Sequence, residues 1–263
     1  MIFSWQHFSF LAEWNLLHSI QEFFSPSTAS PWIVVLIILT FFAVGAALAQ
    51  IARLTFNTSS LDDPELVTAI EEAFCEAGLA PVEPLIWNSR RRVANAAVVG
   101  FIPGNQILLI SATMLELFPK HELIAVIRHE IGHIRRHHPL KRLLLAGAPL
   151  VLLMVDLFSQ IGLHHMLSES PVPLAEFAIL IGYIIYIEWL SVSVFTRMEL
   201  EADQFAVRDR DGRPDNERIN SLRSSLRRFA AIRPSELTRK GGPHPSLLDR
   251  ITQLYGQSAD ATV

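Results

Sequence analysis

The sequence predicts an α+β protein that is mainly helical, carries a small β-sheet and is polytopic, crossing a membrane more than once. Three observations predict this. Half of the 263 residues are hydrophobic, only 18% are charged and the mean hydropathy is +0.31, which is too apolar for an ordinary soluble domain. Three long runs, 32–52, 143–163 and 173–195, have the length and apolar character of membrane helices. Between the first two runs the composition turns to that of a soluble domain, with helix caps, turn residues and short β-like stretches. The net charge of −4 discriminates little. Nucleic acid is not an expected partner, because the chain has no nucleic-acid motif, phosphate-binding glycine loop or internal repeat.

Residues 1–31 read as an amphipathic segment. Phe3, Phe10, Trp14, Leu17 and Phe24 recur at roughly helical spacing among His7, Glu13, His18 and Glu22. Such a helix lies in the membrane interface or spans it poorly. It lacks the basic start and small-residue cleavage site of a signal peptide. The run 32–52 carries no formal charge. At 1.5 Å per residue it is about 31 Å long and matches a hydrocarbon core of about 30 Å.

Residues 53–142 are read as a catalytic region. Asp62 or Asp63 caps a helix with Pro64 in its first turn, Leu66, Ile70 and Phe74 as its apolar stripe and Gly78 as its stop. The single cysteine, Cys75, excludes an intramolecular disulfide and is expected as a small core residue of that helix. Three β-like stretches, 85–87, 93–99 and 107–110, are separated by the arginines at 90–92 and by Pro103-Gly104-Asn105. They form the small sheet. Ser111 opens a short helix that Pro119 ends, and a long helical run over 122–138 follows.

Residues 143–195 form two transmembrane helices joined by a short outer loop at 164–173 without Lys or Arg. Basic residues gather instead at Arg53, 90–92, 135–142 and from Arg197 onward, so the positive-inside rule places those segments in the cytoplasm. Asp156 within a span should face protein or water, whereas Glu176 and Glu188 lie near span ends. Residues 196–256 complete the catalytic region. They hold a helical continuation over 197–208, a turn at 211–214, a helix striped by Ile219, Leu222, Leu226 and Phe229, and a last helix with Leu247, Leu248, Ile251 and Leu254. Residues 257–263 read as a disordered tail.

The 122–138 run contains His129-Glu130-Ile131-Gly132-His133, an H-E-x-x-H pattern. Positions four apart share a helix face, so two imidazoles can meet one metal ion with Glu130 beside it. That arrangement suits zinc hydrolysis, given a third ligand and an open position for water. Glu199, just past the last span, is the candidate third ligand, and Asp203 four residues on can accept a hydrogen bond from a liganding histidine. Glu201 is less favoured, because no acid follows it at that spacing. His137 would lie about 12 Å from His129 along a straight helix, too far to share an ion. His137 and His138 are expected to be interfacial or solvated.

Four motifs in this order resemble the integral-membrane zinc metallopeptidases that include bacterial HtpX-type proteases and type I CAAX prenyl proteases. They are H-E-x-x-H at 129–133, E-x-x-A-D from Glu199 to Asp203 after Arg197, Asn95 to Gly100 as an N-A-x-x-x-G strand, and His244-Pro245 with Arg250 as an H-P-x-x-x-x-R segment. The resemblance covers about residues 60–255 and is nearer to the HtpX type. It implies a gluzincin-type metallopeptidase domain with one zinc ion per chain on His129, His133 and Glu199, and Glu130 as general base. It also implies that Asn95, Ala96, Ala97, Val98, Val99 and Gly100 hold the substrate backbone by β-addition. His244 would donate to the oxyanion, or serve as a capping or turn histidine.

The implied function is zinc-dependent endopeptidase cleavage of misfolded or membrane-associated proteins at the cytoplasmic face of a bacterial inner membrane. The lipid bilayer and protein or peptide substrates are the implied partners. The alternatives are a dedicated processing protease for a signalling or prenylated substrate, and a non-proteolytic zinc-binding adaptor or sensor. Glu130 argues against the latter, since zinc binding alone does not need it.

Overall fold

The structure, a computed structural model, describes residues 31–88, 93–100, 102–145, 147–148, 181–186, 189–238 and 245–259. The amphipathic segment 1–30, residues 149–163 and 173–180 of the two later apolar runs, Asp156, Glu176, Glu188 and His244 lie outside the described residues. Contacts divide the chain into two compact units, 1–43 with 147–171 and 44–146 with 172–263. The motifs described below all fall in the second unit.

Helix α1, Pro31–Thr55, is the one described helix long and apolar enough to cross a membrane, with a mean hydropathy of 2.4 over an 18-residue window. Leu36, Leu39 and Leu54 stand exposed on it. Ala49 and Ala52, small enough to admit a sheet face, pack on Leu85, Ile107 and Leu109. The chain then forms β1, Thr58–Ser60, and α2, Pro64–Glu76. Asp63 caps α2 by accepting the Leu66 N–H at 3.1 Å, and Gly78 beyond its end has a φ of 69°. Its buried stripe is Leu66, Ile70, Ala73 and Phe74. Cys75, expected in the core, is exposed. It follows Phe74 by one helical step of about 100°, which carries it off the stripe.

Strands β2 (Glu83–Trp87), β3 (Ala96–Val99) and β4 (Ile107–Ser111) complete a mixed sheet in the order β1-β2-β4-β3. β4 lies between a parallel β2 and an antiparallel β3 and is buried along its whole length. Its pleat sends Leu108 and Ile110 into the main core with Ile70, Phe74, Ile127 and Ile131, while Ile107 and Leu109 face α1. β1 went unread in the sequence because three polar residues carry no periodic signal. Ser111 caps α3, Ala112–Leu117, and Pro119 precedes α4, Lys120–Arg135.

The helix expected to run to residue 138 breaks at Arg136 and His137, where His137 takes a φ of 56°, and residues 138–145 are helical again. After a π-helical turn at Leu190–Phe195 come α5 (Thr196–Ala206), α6 (Asn216–Ile232) and α7 (Leu247–Ala259). α7 continues three residues into the stretch expected as a tail. A second core of Val207, Ile219, Leu222, Leu226, Ile251 and Leu254 joins α5, α6 and α7.

Glu122 fastens α4 to α6. It is 2% exposed and accepts from Arg228 Nε at 2.6 Å and from Ser224 Oγ at 2.6 Å. Burial alone would raise its carboxyl, but the bonds from Arg228 and Ser224 outweigh it and hold the pKa below 4.5. The unfolded chain therefore takes up this proton first as pH falls. The stabilisation is present above about pH 4.5 and is lost on further acidification. Denaturant unfolding between about pH 3 and 6 is expected to show a shallower acid loss in Glu122→Gln than in the wild type. Equal slopes would contradict this role.

Candidate metal centre

α4 presents His129 and His133 one turn apart because Ile127, Ile131 and Ile134 commit the adjoining face to the core. The two Nε2 atoms lie 3.2 Å apart. α5 crosses closely at Gly132, where an added Cβ would come within 3.1 Å of Phe205 and 3.2 Å of the Ala202 Cα. That approach delivers Glu199. Its Oε2 lies 3.5 Å from His129 Nε2 and its Oε1 lies 3.4 Å from His133 Nε2. Ligand atoms arranged tetrahedrally around zinc at 2.0–2.1 Å sit about 3.3 Å from one another, so two imidazoles and one carboxylate at these separations fit the ion. The π-turn ahead of α5 inserts a residue into the helical phase and was not legible in the sequence.

His129, Glu130 and His133 also cluster, with their candidate ligand atoms within 4.8 Å of one another. Glu199 lies 3.5 and 3.4 Å from the same two imidazole Nε2 atoms, a spacing that suits neighbouring ligands of one ion. The Val98 N–H of β3 lies near the Glu130 carboxylate. Desolvation raises the Glu130 pKa and Glu199 adds to the rise, against the opposing influence of His129 and of the nearby Val98 N–H. Its affinity for a proton is thereby moved toward neutral pH.

Both histidines are backed. His129 Nδ1 lies 2.8 Å from Asp203 Oδ1. Burial disfavours the His129 imidazolium, but Asp203 outweighs burial and raises its pKa. Arg250 forks onto Asp203 with bonds of 2.6 and 2.7 Å and holds the carboxyl well below its usual range despite burial. Arg250 entered the sequence reading only as the end of the H-P-x-x-x-x-R segment. The signal for its role is that a buried carboxylate requires a cation. Arg142, which the sequence did not single out, donates to Glu199 Oε1 at 2.7 Å.

On the other histidine, His133 Nδ1 lies 2.8 Å from His138 Nδ1. His138 is fully buried, contrary to the interfacial or solvated position expected of it, because the break at His137 folds it back under His133. Burial lowers the His138 pKa, with Glu201 opposing. His137 is exposed, and Glu201 pairs with His138, Arg136 and Arg197.

A cleft of about 500 Å³ adjoins these groups. Asn95, Ala96, Ala97 and Val98 line it together with Leu222, Phe229, Pro245 and Leu247. Asn95 pairs with Ser111 across the ladder, so Ala97 and Val99 bond to β4 whereas Ala96 and Val98 turn their backbone groups outward at the edge of the sheet formed by the described residues. Val99 and Gly100 are not among the lining residues. Val99 packs toward the α1 core, and Gly100 turns the chain with a φ of 104°, where a Cβ would lie 2.6 Å from the Asn105 carbonyl oxygen.

The model of Peptidase family M48 matches residues 60–258, a stretch that contains every motif of this centre. The chain belongs to that family. It is 32% identical over 166 residues to a CAAX prenyl protease 1 homolog of Dictyostelium discoideum, a match covering 58% of this chain and 39% of that protein. It is 34% identical over 97 residues to a Protease HtpX homolog of Pyrococcus abyssi, covering 36% of this chain and 33% of that protein. The chain thus spans between a third and two-fifths of the length of the curated relatives it matches. The crystal structure of S. mikatae Ste24p aligns with a TM-score of 0.59 at 17% identity, covering 94% of this chain and 63% of that one. At that identity the likeness is one of fold.

Proposed function

We propose that this M48 chain is a membrane-embedded zinc-dependent endopeptidase that cleaves misfolded or membrane-associated proteins at the cytoplasmic face. The observation that carries the reading is the convergence of His129 Nε2, His133 Nε2 and the Glu199 carboxylate at 3.2 to 3.5 Å, with Glu130 beside them. His129, His133 and Glu199 hold the ion. Bound there, zinc supplies Lewis acidity toward the peptide carbonyl and makes an adjacent water acidic near neutral pH.

The protein's own groups do the rest. Glu130 takes the proton of the attacking water and passes it to the leaving amide nitrogen, its carboxyl made more basic by burial. The outward backbone groups of Ala96 and Val98 hold the substrate as an added strand across the cleft. Asp203 and Arg250 keep His129 oriented with Nε2 toward the ion. Arg142 neutralises part of the Glu199 charge. His244 is assigned as the oxyanion donor from its place beside Pro245 in a segment whose Pro245 and Arg250 line the cleft.

Membrane embedding is supported by α1 and by the short distance from the last apolar run, since Phe195 to Glu199 is about 6 Å along a helix. The positive-inside distribution supports a cytoplasmic site.

The CAAX prenyl protease 1 homolog among the relatives favours a second reading, a processing protease for a prenylated or signalling peptide. Profiling the new protein termini that appear in membranes with active enzyme and not with Glu130→Gln separates the two. Many unrelated fragments of unfolded or damaged proteins are expected. Cleavage confined to one C-terminal motif would establish the processing role instead.

A further inference from the structure

We propose that His138 is a positioning residue for the metal centre, holding His133 in the tautomer whose Nε2 lone pair faces the ligand atoms of His129 and Glu199. This rests on the reading of His133 as a metal ligand. His133 and His138 face each other Nδ1 to Nδ1 at 2.8 Å, and the far nitrogen of His138, Nε2, lies 3.3 Å from Glu201 Oε2. His138 is fully buried, whereas the Glu201 side chain is 31% exposed and is approached by Arg136 and Arg197 at 3.7 and 3.6 Å.

A neutral imidazole has one N–H and one lone pair, so only one of two facing nitrogens carries the hydrogen. If Nε2 of His133 gives its lone pair to an ion, the hydrogen of His133 sits on Nδ1 and the Nδ1 of His138 accepts it. The hydrogen of His138 then sits on Nε2 and points at Glu201, which as a carboxylate can only accept. Glu201 therefore sets the tautomer of His138, and His138 sets that of His133.

The two ligands are oriented by different means. His129 has a buried carboxylate clamped by an arginine, whereas His133 has a neutral ring and a negative charge one residue farther out. A second carboxylate at the position of His138 would have required burying another charge. Sequence spacing conceals the contact, because five residues along a straight helix is about 140° around it. The left-handed turn at His137 makes the contact possible.

The test measures zinc affinity of the purified, detergent-solubilised full chain by competition with a chromophoric chelator. Wild type, His138→Leu, His138→Asn and His133→Ala are compared, with the melting temperature of each zinc-free form. His138→Leu, which has no acceptor, is expected to lose about 10- to 100-fold in affinity. His138→Asn, whose amide oxygen can accept the His133 Nδ1–H, is expected to stay within about threefold of wild type. Ring-nitrogen NMR of the zinc-loaded wild type, labelled with ¹⁵N-histidine, is expected to place the His138 hydrogen on Nε2. A His138 hydrogen on Nδ1 would overturn the proposal, as would equal affinity in His138→Leu and wild type, or equal losses in His138→Leu and His138→Asn. Zinc retained by His133→Ala would instead overturn the ligand reading on which the proposal rests.

Discussion

Glu130→Gln is expected to retain zinc and to lower kcat for peptide hydrolysis by about 10²- to 10⁴-fold, or roughly 3 to 5 kcal/mol of barrier. Glutamine has the same shape as glutamate and fills the same space. What it cannot do is take a proton from water. The substitution leaves the close contacts among His129, His133 and Glu199 untouched, so metal content should match the wild type. Zinc is measured by elemental analysis and turnover with a fluorogenic unfolded substrate. Full activity in Glu130→Gln would remove the general base from the mechanism. Joint loss of zinc and activity would make Glu130 part of the ion's own shell.

Arg250→Leu is expected to lower unfolding stability by about 3 to 5 kcal/mol, a large part of the roughly 5 to 15 kcal/mol typical of a domain. Asp203 is 4% exposed at its side chain and is held by both arms of the guanidinium. Without Arg250 the carboxylate stays buried with the imidazole of His129 as its remaining partner at 2.8 Å. Arg250→Lys should recover only part of the loss, because an ammonium cannot reproduce the two-armed contact. The double variant Asp203→Asn with Arg250→Leu should be more stable than Arg250→Leu alone, because it removes the orphaned charge. Denaturant titration of the zinc-free proteins measures all four. A midpoint in Arg250→Leu equal to that of the wild type would show that Asp203 does not depend on this partner.

Elements with a local signal were legible in the sequence. Asp63, Pro64 and Gly78 bound α2, Ser111 and Pro119 bound α3, and the stripe Ile219, Leu222, Leu226 is buried on α6. Helical spacing marked Asp203 as an acceptor for one of the two histidines without choosing between them, and the structure sets it 2.8 Å from His129. What was hidden depends on contacts distant in sequence or on breaks in helical phase. Arg250 reaches back 47 residues to Asp203, and Arg142 reaches forward 57 residues to Glu199. His138 was expected to be interfacial or solvated, and on a straight helix it would point away from His133. One residue in a left-handed conformation reverses that. The π-turn before α5 is equally silent in composition, since Leu190–Phe195 reads as an ordinary apolar helix.

The central claim is that this chain hydrolyses peptide bonds with a metal ion held by His129, His133 and Glu199. The most direct test follows cleavage of an unfolded model protein by the purified full chain in detergent, before chelation, after it and after zinc is returned, with bound zinc measured at each stage. The expected result is about one zinc per chain at the start, cleavage lost with the metal, and cleavage regained with it. Cleavage that persists in the metal-free protein, or a zinc-loaded wild type that cuts no faster than Glu130→Gln, would contradict the account.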